Sequence, residues 1–256
     1  MPQWRDRRPL KRWRYVGAYG PELMLCAGDA RIGPLRQRFW AVATPDGRIR
    51  EKTALFGAGG VWISGPEVAI DGPGVRARLR VEDDDVEPVE TLSRHGDSYI
   101  WTAKQGGVRV SGLVELDGRP IQFEARGVVD DSAGYHARHT VWSWSAGVGT
   151  LTDGRPVAWN LVAGVHDAPE ASERTVWIGG TPTEVGPVRF ASDLTGISGS
   201  GVALSFTAWS TREDNTNALL VRSRYKQPFG TFKGNLRADL ELADGYGVME
   251  SHDVWW

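Results

Sequence analysis

The chain has 256 residues, with 30 basic and 32 acidic side chains, a formal net charge of -2 and 12 tryptophans. That balance excludes the strongly basic surface of a general nucleic-acid binder. The length can bury a substantial core in one large or two ordinary units, and a single cysteine, Cys26, excludes an intramolecular disulfide. No run approaches the roughly 18 to 20 apolar residues of a spanning helix, and the opening segment lacks the apolar stretch of a secretory signal. These features predict a cytoplasmic protein.

The basic start, residues 1–14 with its cluster from Arg5 to Arg14, reads as a solvated arm. The stretch "ELMLCAGDARIG" from Glu22 fits a short helix or an edge strand. From there period two dominates. Val75, Ala77, Leu79 and Val81 alternate with Arg76, Arg78 and Arg80, and Ile121, Phe123 and Ala125 alternate with Gln122, Glu124 and Arg126. The stretches "VALSFTAW" from Val202 and "LRADLEL" from Leu236 repeat the pattern. Such alternation predicts strands with one dry face and one wet face. Asp-Gly pairs at 46–47, 71–72, 117–118, 153–154 and 244–245 predict hairpin turns, because Asp tolerates and Gly prefers the positive φ of a type I′ turn. The acidic run Glu82 to Glu90 reads as a solvated loop without the spacing of a calcium loop.

Roughly sixteen to twenty strands at this spacing exceed one small barrel. The prediction is all-β: two linked antiparallel barrel or sandwich units, residues 15–132 and 133–256, divided in the polar stretch near residues 130–137. No internal sequence repeat relates the two.

Chemistry concentrates in the second unit. The segment from Tyr135 to Glu170 predicts a hairpin turning at Asp153-Gly154-Arg155, with Trp142 and Trp144 sharing a face of its first strand. On the second strand Asn160 and His166 share a face with Ala158 and Val162. A buried amide needs partners, which singles out Asn160. At the C-terminal end, period two puts Glu250 and His252 on one face with Val248 and Val254, and Met249, Ser251, Asp253 and Trp255 on the other. The His136–His139 spacing matches no tight metal signature, so no metal site is predicted.

The segments "KRWRYVGAYGPELMLCAGDARIG", "HTVWSWSAGVGTLTDGRPVAWNL" and "YKQPFGTFKGNL…GYGVMESHDVWW" together resemble the bacterial proteins grouped as domain of unknown function 2804. Against that family the chain looks short at its N-terminal end. More remotely it is similar to two-barrel, lipocalin-like (calycin-like) proteins that include carotenoid hydratases and cofactor-free cyclases. The resemblance implies two β units holding a lipophilic small molecule, with no cofactor and no obligate protein partner. The expected chemistry is acid–base: Glu250 or Asp253 as the acid, His252 as its partner, and His166 as a further catalytic candidate. The ligand-binding candidates are Trp142, Trp144, Trp159, Asn160, His139, Tyr225, Tyr246 and Trp255. The competing readings are a non-catalytic carrier of a lipophile and a scaffold with a tryptophan-rich docking surface.

Overall fold

The computed structural model describes residues 1–55, 57, 59–217 and 222–256. A small hairpin, β1 (Trp4–Arg5) and β2 (Arg8–Pro9), precedes two sheets. The first contains β3 (Lys11–Tyr19), β4 (Met24–Ile32), β5 (Leu35–Ala43), β6 (Ile49–Ala54), β7 (Val61–Ser64), β8 (Glu67–Gly72), β9 (Val75–Glu82), β10 (Val89–His95), β11 (Ser98–Leu116) and β12 (Arg119–Gly134). The second contains β13 (His139–Leu151), β14 (Pro156–Ala163), β15 (Thr175–Ile178), β16 (Thr181–Glu184), β17 (Arg189–Phe190), β18 (Gly196–Gly199), β19 (Val202–Asn217), β20 (Arg222–Arg237) and β21 (Leu240–Trp255). The protein is all-β, in two curled antiparallel half-barrels. Among the described residues no helix is long and apolar enough to cross a membrane.

The two sheets share one strand order. The first runs β6-β5-β4-β3-β12-β11-β9-β8-β7, with β10 added on β11, and the second runs β16-β15-β14-β13-β21-β20-β19-β18-β17. In each, the first long strand pairs with the last, β3 with β12 and β13 with β21. The topology is duplicated although the sequence shows no repeat, because a sheet constrains the alternation of buried and exposed positions more than their identity.

The second sheet is covered on both faces at its centre. Trp144, Ala146, Val148, Ala158, Val162 and Val248 join the large core shared with the first sheet. Their neighbours Val157, Trp159, Leu161 and Met249 join a separate core inside the second half-barrel. This double burial explains why "VAWNLV" is apolar on both faces apart from Asn160, which single-sided alternation does not predict.

Close ring packing accounts for part of the high glycine and tryptophan content. Gly28 pairs with Phe39, and Gly147 pairs with Trp159. In both, an added Cβ would collide with the partner's ring. Trp40 lies over Gly72 in the same way, and Trp177 over Gly106.

Several expectations need correction. "ELMLCAGDARIG" forms β4, which is neither helix nor edge, since β3 and β5 flank it. Lys11 to Arg14 open β3, and Lys11 is buried, so the basic start is no continuous solvated arm. The Asp-Gly pairs at 46–47, 117–118 and 153–154 lie between paired strands, with positive φ at each Gly. Those at 71–72 and 244–245 lie inside strands instead. There Gly72 accommodates Trp40, and Gly245 sits against Phe232. "LRADLEL" is split by the turn between β20 and β21. The acidic run is largely exposed, as expected, and is pinned at one point, where Glu87 O accepts from Trp177 Nε1 at 2.9 Å.

The ring-over-glycine packing yields a test. Gly147→Ala must displace the buried Trp159 ring, and overpacking of this kind costs about 1 to 3 kcal/mol. Denaturant titration should show that loss, whereas Gly154→Ala, in the open turn next to it, should show a smaller loss arising from its positive φ alone.

Candidate functional site

A cavity of about 160 Å³ lies between the two sheets. The first sheet contributes Trp13, Tyr15, Phe39 and Lys104, and the second contributes Trp142, Trp144, Tyr225 and Glu250. Period two supplies each set, because Trp13 and Tyr15 share one face of β3, and Trp142 and Trp144 share one face of β13. Tyr15 and Trp144 meet edge to face at 5.5 Å.

On one side of that contact stands Glu250. β13 and β21 are in register there, with Trp144 opposite Glu250 and Trp142 opposite His252. Glu250 Oε1 accepts from Trp142 Nε1 at 2.9 Å, and Oε2 accepts from Tyr225 OH at 2.9 Å and Gln227 Nε2 at 3.0 Å. Burial pushes its carboxyl above the usual range, and the hydrogen bonds from Tyr225 and Trp142 offset this in part. Gln227 is itself oriented from the first sheet, since its Oε1 accepts from Cys26 Sγ at 3.9 Å. Burial pushes that thiol up to about 11, so Cys26 is a neutral donor at ordinary pH.

His252 lies beside Glu250. Its Nε2 is 2.8 Å from Ser223 Oγ, and its ring is 4.3 Å from that of Trp142. Burial, with help from the Arg212 guanidinium, lowers it to about 3. The imidazole is therefore neutral at pH 7 and can take a proton only from a strong acid. Arg212 bridges the sheets: its guanidinium stacks over Phe39 at 4.3 Å and Tyr225 at 4.8 Å. Its Nη2 donates to Thr53 Oγ1 at 2.9 Å.

On the other side of Trp144 lies a buried ionic group. Lys104 Nζ stands 2.6 Å from Asp130 Oδ1 and 3.5 Å from Glu173 Oε1. Burial pushes the Asp130 carboxyl up. It would do the same to Glu173, but the Lys104 ammonium, His166 and the neighbouring Thr102 and Asn160 side chains together outweigh it, and the net displacement is downward. Burial lowers His166 as well, so this imidazole too favours its neutral form. Among the described residues no group of three His, Cys, Asp or Glu side chains is arranged to hold a metal ion.

The structure gathers some sequence candidates and separates others. Glu250, His252, His166, Trp142, Trp144 and Tyr225 line the cavity. Asn160 stands behind it, accepting from Trp144 Nε1 at 2.7 Å and donating to Glu173 O at 2.8 Å, so it positions the ring. Asp253 lies on the opposite face of β21 and pairs with His139 at 2.8 Å. Trp255 stacks on His139 at 4.1 Å outside the cavity. Trp159 is buried in the second core, with its Nε1 donating to Ser145 Oγ at 3.1 Å. Tyr246 packs at the edge of the main core near Trp209. Alternation explains the exclusions on β21 and β14: Asp253 and Trp255 are out of phase with Glu250, and Trp159 is out of phase with Asn160. Trp256 lines the cavity instead, with Lys11 Nζ 4.8 Å from its ring centre.

Lys11, Lys104, Asp130, Glu173, Arg212 and Gln227 are additions that sequence reading did not select. A signal existed for two of them. Period two places Lys104 with Ile100 and Thr102, and Asp130 with Val128 and Ser132, on inward faces.

The family model described as "Domain of unknown function (DUF2804)" matches residues 67–256. No curated protein matches the chain in sequence. Solved structures similar to it include a protein provisionally described as AttH from Nitrosomonas europaea. That protein is 13% identical, with a TM-score of 0.61 over 94% of this chain and 91% of the other. Kievitone hydratase from Nectria haematococca is 7% identical, with a TM-score of 0.57 over 95% of this chain and 88% of the other. These likenesses establish the two-half-barrel fold and, at such identities, nothing more.

Two measurements probe the site. The unfolded chain protonates a histidine near pH 6.5, while folded His252 resists protonation down to about 3. The folded state thus loses stability as pH falls from 7 to 5. The His252 share of that loss is on the order of 1 to 2 kcal/mol, and denaturant titrations should find it missing in His252→Gln. Removing a donor from a carboxylate disfavours its ionised form. Trp142→Phe should therefore raise the Glu250 titration midpoint further in a carboxyl-carbon NMR titration.

Proposed function

This chain belongs to the DUF2804 family, and we propose that it is a cofactor-independent acid–base enzyme acting on a mostly apolar small molecule. Hydration, isomerisation or cyclisation of an alkene suits the site. The observation that carries the reading is Glu250, a carboxyl with a raised proton affinity placed on an aromatic-lined cavity and oriented by Trp142, Tyr225 and Gln227. A carboxyl whose proton affinity is raised by an apolar site is what general acid catalysis favours.

In this mechanism Glu250 protonates an alkene carbon. The rings of Trp142, Trp144 and Tyr225 face the positive charge that develops, a contact worth about 0.5 to 2 kcal/mol each. In a hydration, water adds to the cation and its surplus proton restores Glu250; in an isomerisation, the neighbouring carbon loses the proton instead. Neutral His252 serves as a hydrogen-bonding neighbour, and Asp253, on the outer face, has no part. The match in fold to kievitone hydratase is consistent with this class of reaction. The second reading, a carrier, is favoured by one observation: both Glu250 oxygens already accept hydrogen bonds, as in a purely structural network.

Native mass spectrometry of freshly purified protein should reveal a bound apolar molecule. Incubation in deuterated water should then place deuterium on a carbon of that molecule, or add the mass of water. Glu250→Gln should retain the molecule and abolish the exchange. A retained molecule with no exchange in the wild-type protein would leave the carrier reading in place.

A further inference from the structure

Besides Asp130 Oδ1, which is paired with the Lys104 ammonium, three polar side-chain atoms at the Lys104 side of the cavity make no fully formed hydrogen bond among the described residues, although the Thr102 hydroxyl lies close enough to the Glu173 carboxylate to hold its proton affinity down. They are Thr102 Oγ1, His166 Nδ1 and Glu173 Oε2. Their residues are 1%, 7% and 2% exposed, and all three line the cavity. A buried polar atom without a full partner has lost the water it bonded in the unfolded chain, so a group of three at one place calls for an explanation.

Slack packing is not that explanation. Glu173 is held by its backbone: its carbonyl accepts from Asn160 Nδ2 at 2.8 Å and from Thr175 Oγ1 at 3.2 Å. Its N–H donates to His166 O at 3.3 Å. Its other carboxyl oxygen faces Lys104 at 3.5 Å. His166 has a φ of 53°, in the left-handed region that non-glycine residues seldom occupy. Such strain is retained mainly where it positions a functional group. A fixed frame therefore holds three incompletely partnered polar atoms beside a cavity lined by both aromatic and polar side chains.

Their chemistry limits what they can bind. Glu173 Oε2 accepts, while Thr102 Oγ1 and the neutral His166 ring can each donate or accept. An anionic head would lie against the carboxylates of Asp130 and Glu173, and a cationic one against the ammonium of Lys104. A neutral group with one proton to give and lone pairs to receive meets all three atoms.

We infer that Thr102, His166 and Glu173 form a hydroxyl-binding subsite, taking the O–H of an alcohol or phenol whose apolar body lies along Trp144 toward Glu250. This rests on the small-molecule reading of the cavity and narrows it: the ligand is amphiphilic, with a hydroxyl at the end away from Glu250, and not a bare hydrocarbon. Sites built to hydrogen-bond a hydroxyl discriminate strongly against analogues that lack it, because the polar groups are then left unpaired.

Isothermal titration calorimetry with naphthalene, 2-naphthol and 2-methoxynaphthalene separates the outcomes. The wild-type protein should bind 2-naphthol at least about tenfold more tightly than either analogue. Thr102→Val, nearly isosteric, and Glu173→Gln, which keeps the side-chain shape, should each cut that advantage to less than about threefold. Retained melting temperature in Thr102→Val keeps the result interpretable if Glu173→Gln folds poorly. Equal affinity of the three probes for the wild-type protein would mean that the subsite holds water alone, and would overturn the inference. An advantage that survives in Thr102→Val would overturn it too. Binding of none of the three would instead remove the small-molecule reading beneath it.

Discussion

The arrangement of the whole molecule depends on strands β13, β14 and β21 being buried on both faces. One face closes the core of the second half-barrel, and the other packs on the first sheet. At the centre of these strands a side chain has no solvent to turn to, so every polar group there needs a partner inside the protein or in a ligand. The result is a sparse set of strong local arrangements: Trp144 with Asn160, Trp159 with Ser145, and Trp142 with Glu250. Indole N–H groups recur because a ring fills the interior while its single donor satisfies a buried acceptor.

The two sheets are joined through polar contacts as well as apolar ones. Cys26 of β4 orients Gln227 of β20, which in turn holds Glu250. Arg212 of β19 reaches Thr53 of β6. On the far side, Lys104 and Asp130 of the first sheet meet Glu173, in the loop between β14 and β15. Each contact removes charge or dipole from water and gains only if the geometry is well met. The residues that set proton affinity at the cavity therefore also fix how the half-barrels sit on each other. A change at Gln227 or Lys104 is expected to disturb both.

Duplicated topology without duplicated sequence has the same root. Strand order depends on which segments can cover which faces, and many apolar combinations fill a core of given volume. The first sheet exposes much of β9, whose buried Val75, Ala77, Leu79 and Val81 alternate with exposed arginines. Its topological counterpart in the second sheet, β19, carries Arg212 into the cavity after the register shift between Ala208 and Ser210. A bulge of this kind redirects the side chains that follow it, so one shared plan serves a strand with a solvated face and a strand that reaches the cavity.

The sequence by itself determined the all-β class, the two-unit plan, the phase of β9 and β21, and the pairing of Trp142 with Trp144 on one face. The two-unit plan follows from the number of strands and the others from period-two alternation, a local property of consecutive residues. Glu250 and His252 were legible for the same reason, as was the buried role of Asn160. Tertiary structure decided which face of β21 looks inward, because both its faces mix polar and apolar residues; it chose Glu250 and His252 with Trp256 over Asp253 and Trp255. It alone assembled Lys104, Asp130 and Glu173, which are distant in the chain and meet only when the sheets pack. It also turned Gly72 and Gly245 from expected turns into seats for large neighbours. A glycine's small size is the same in both roles, and what crosses above it is a property of the folded molecule.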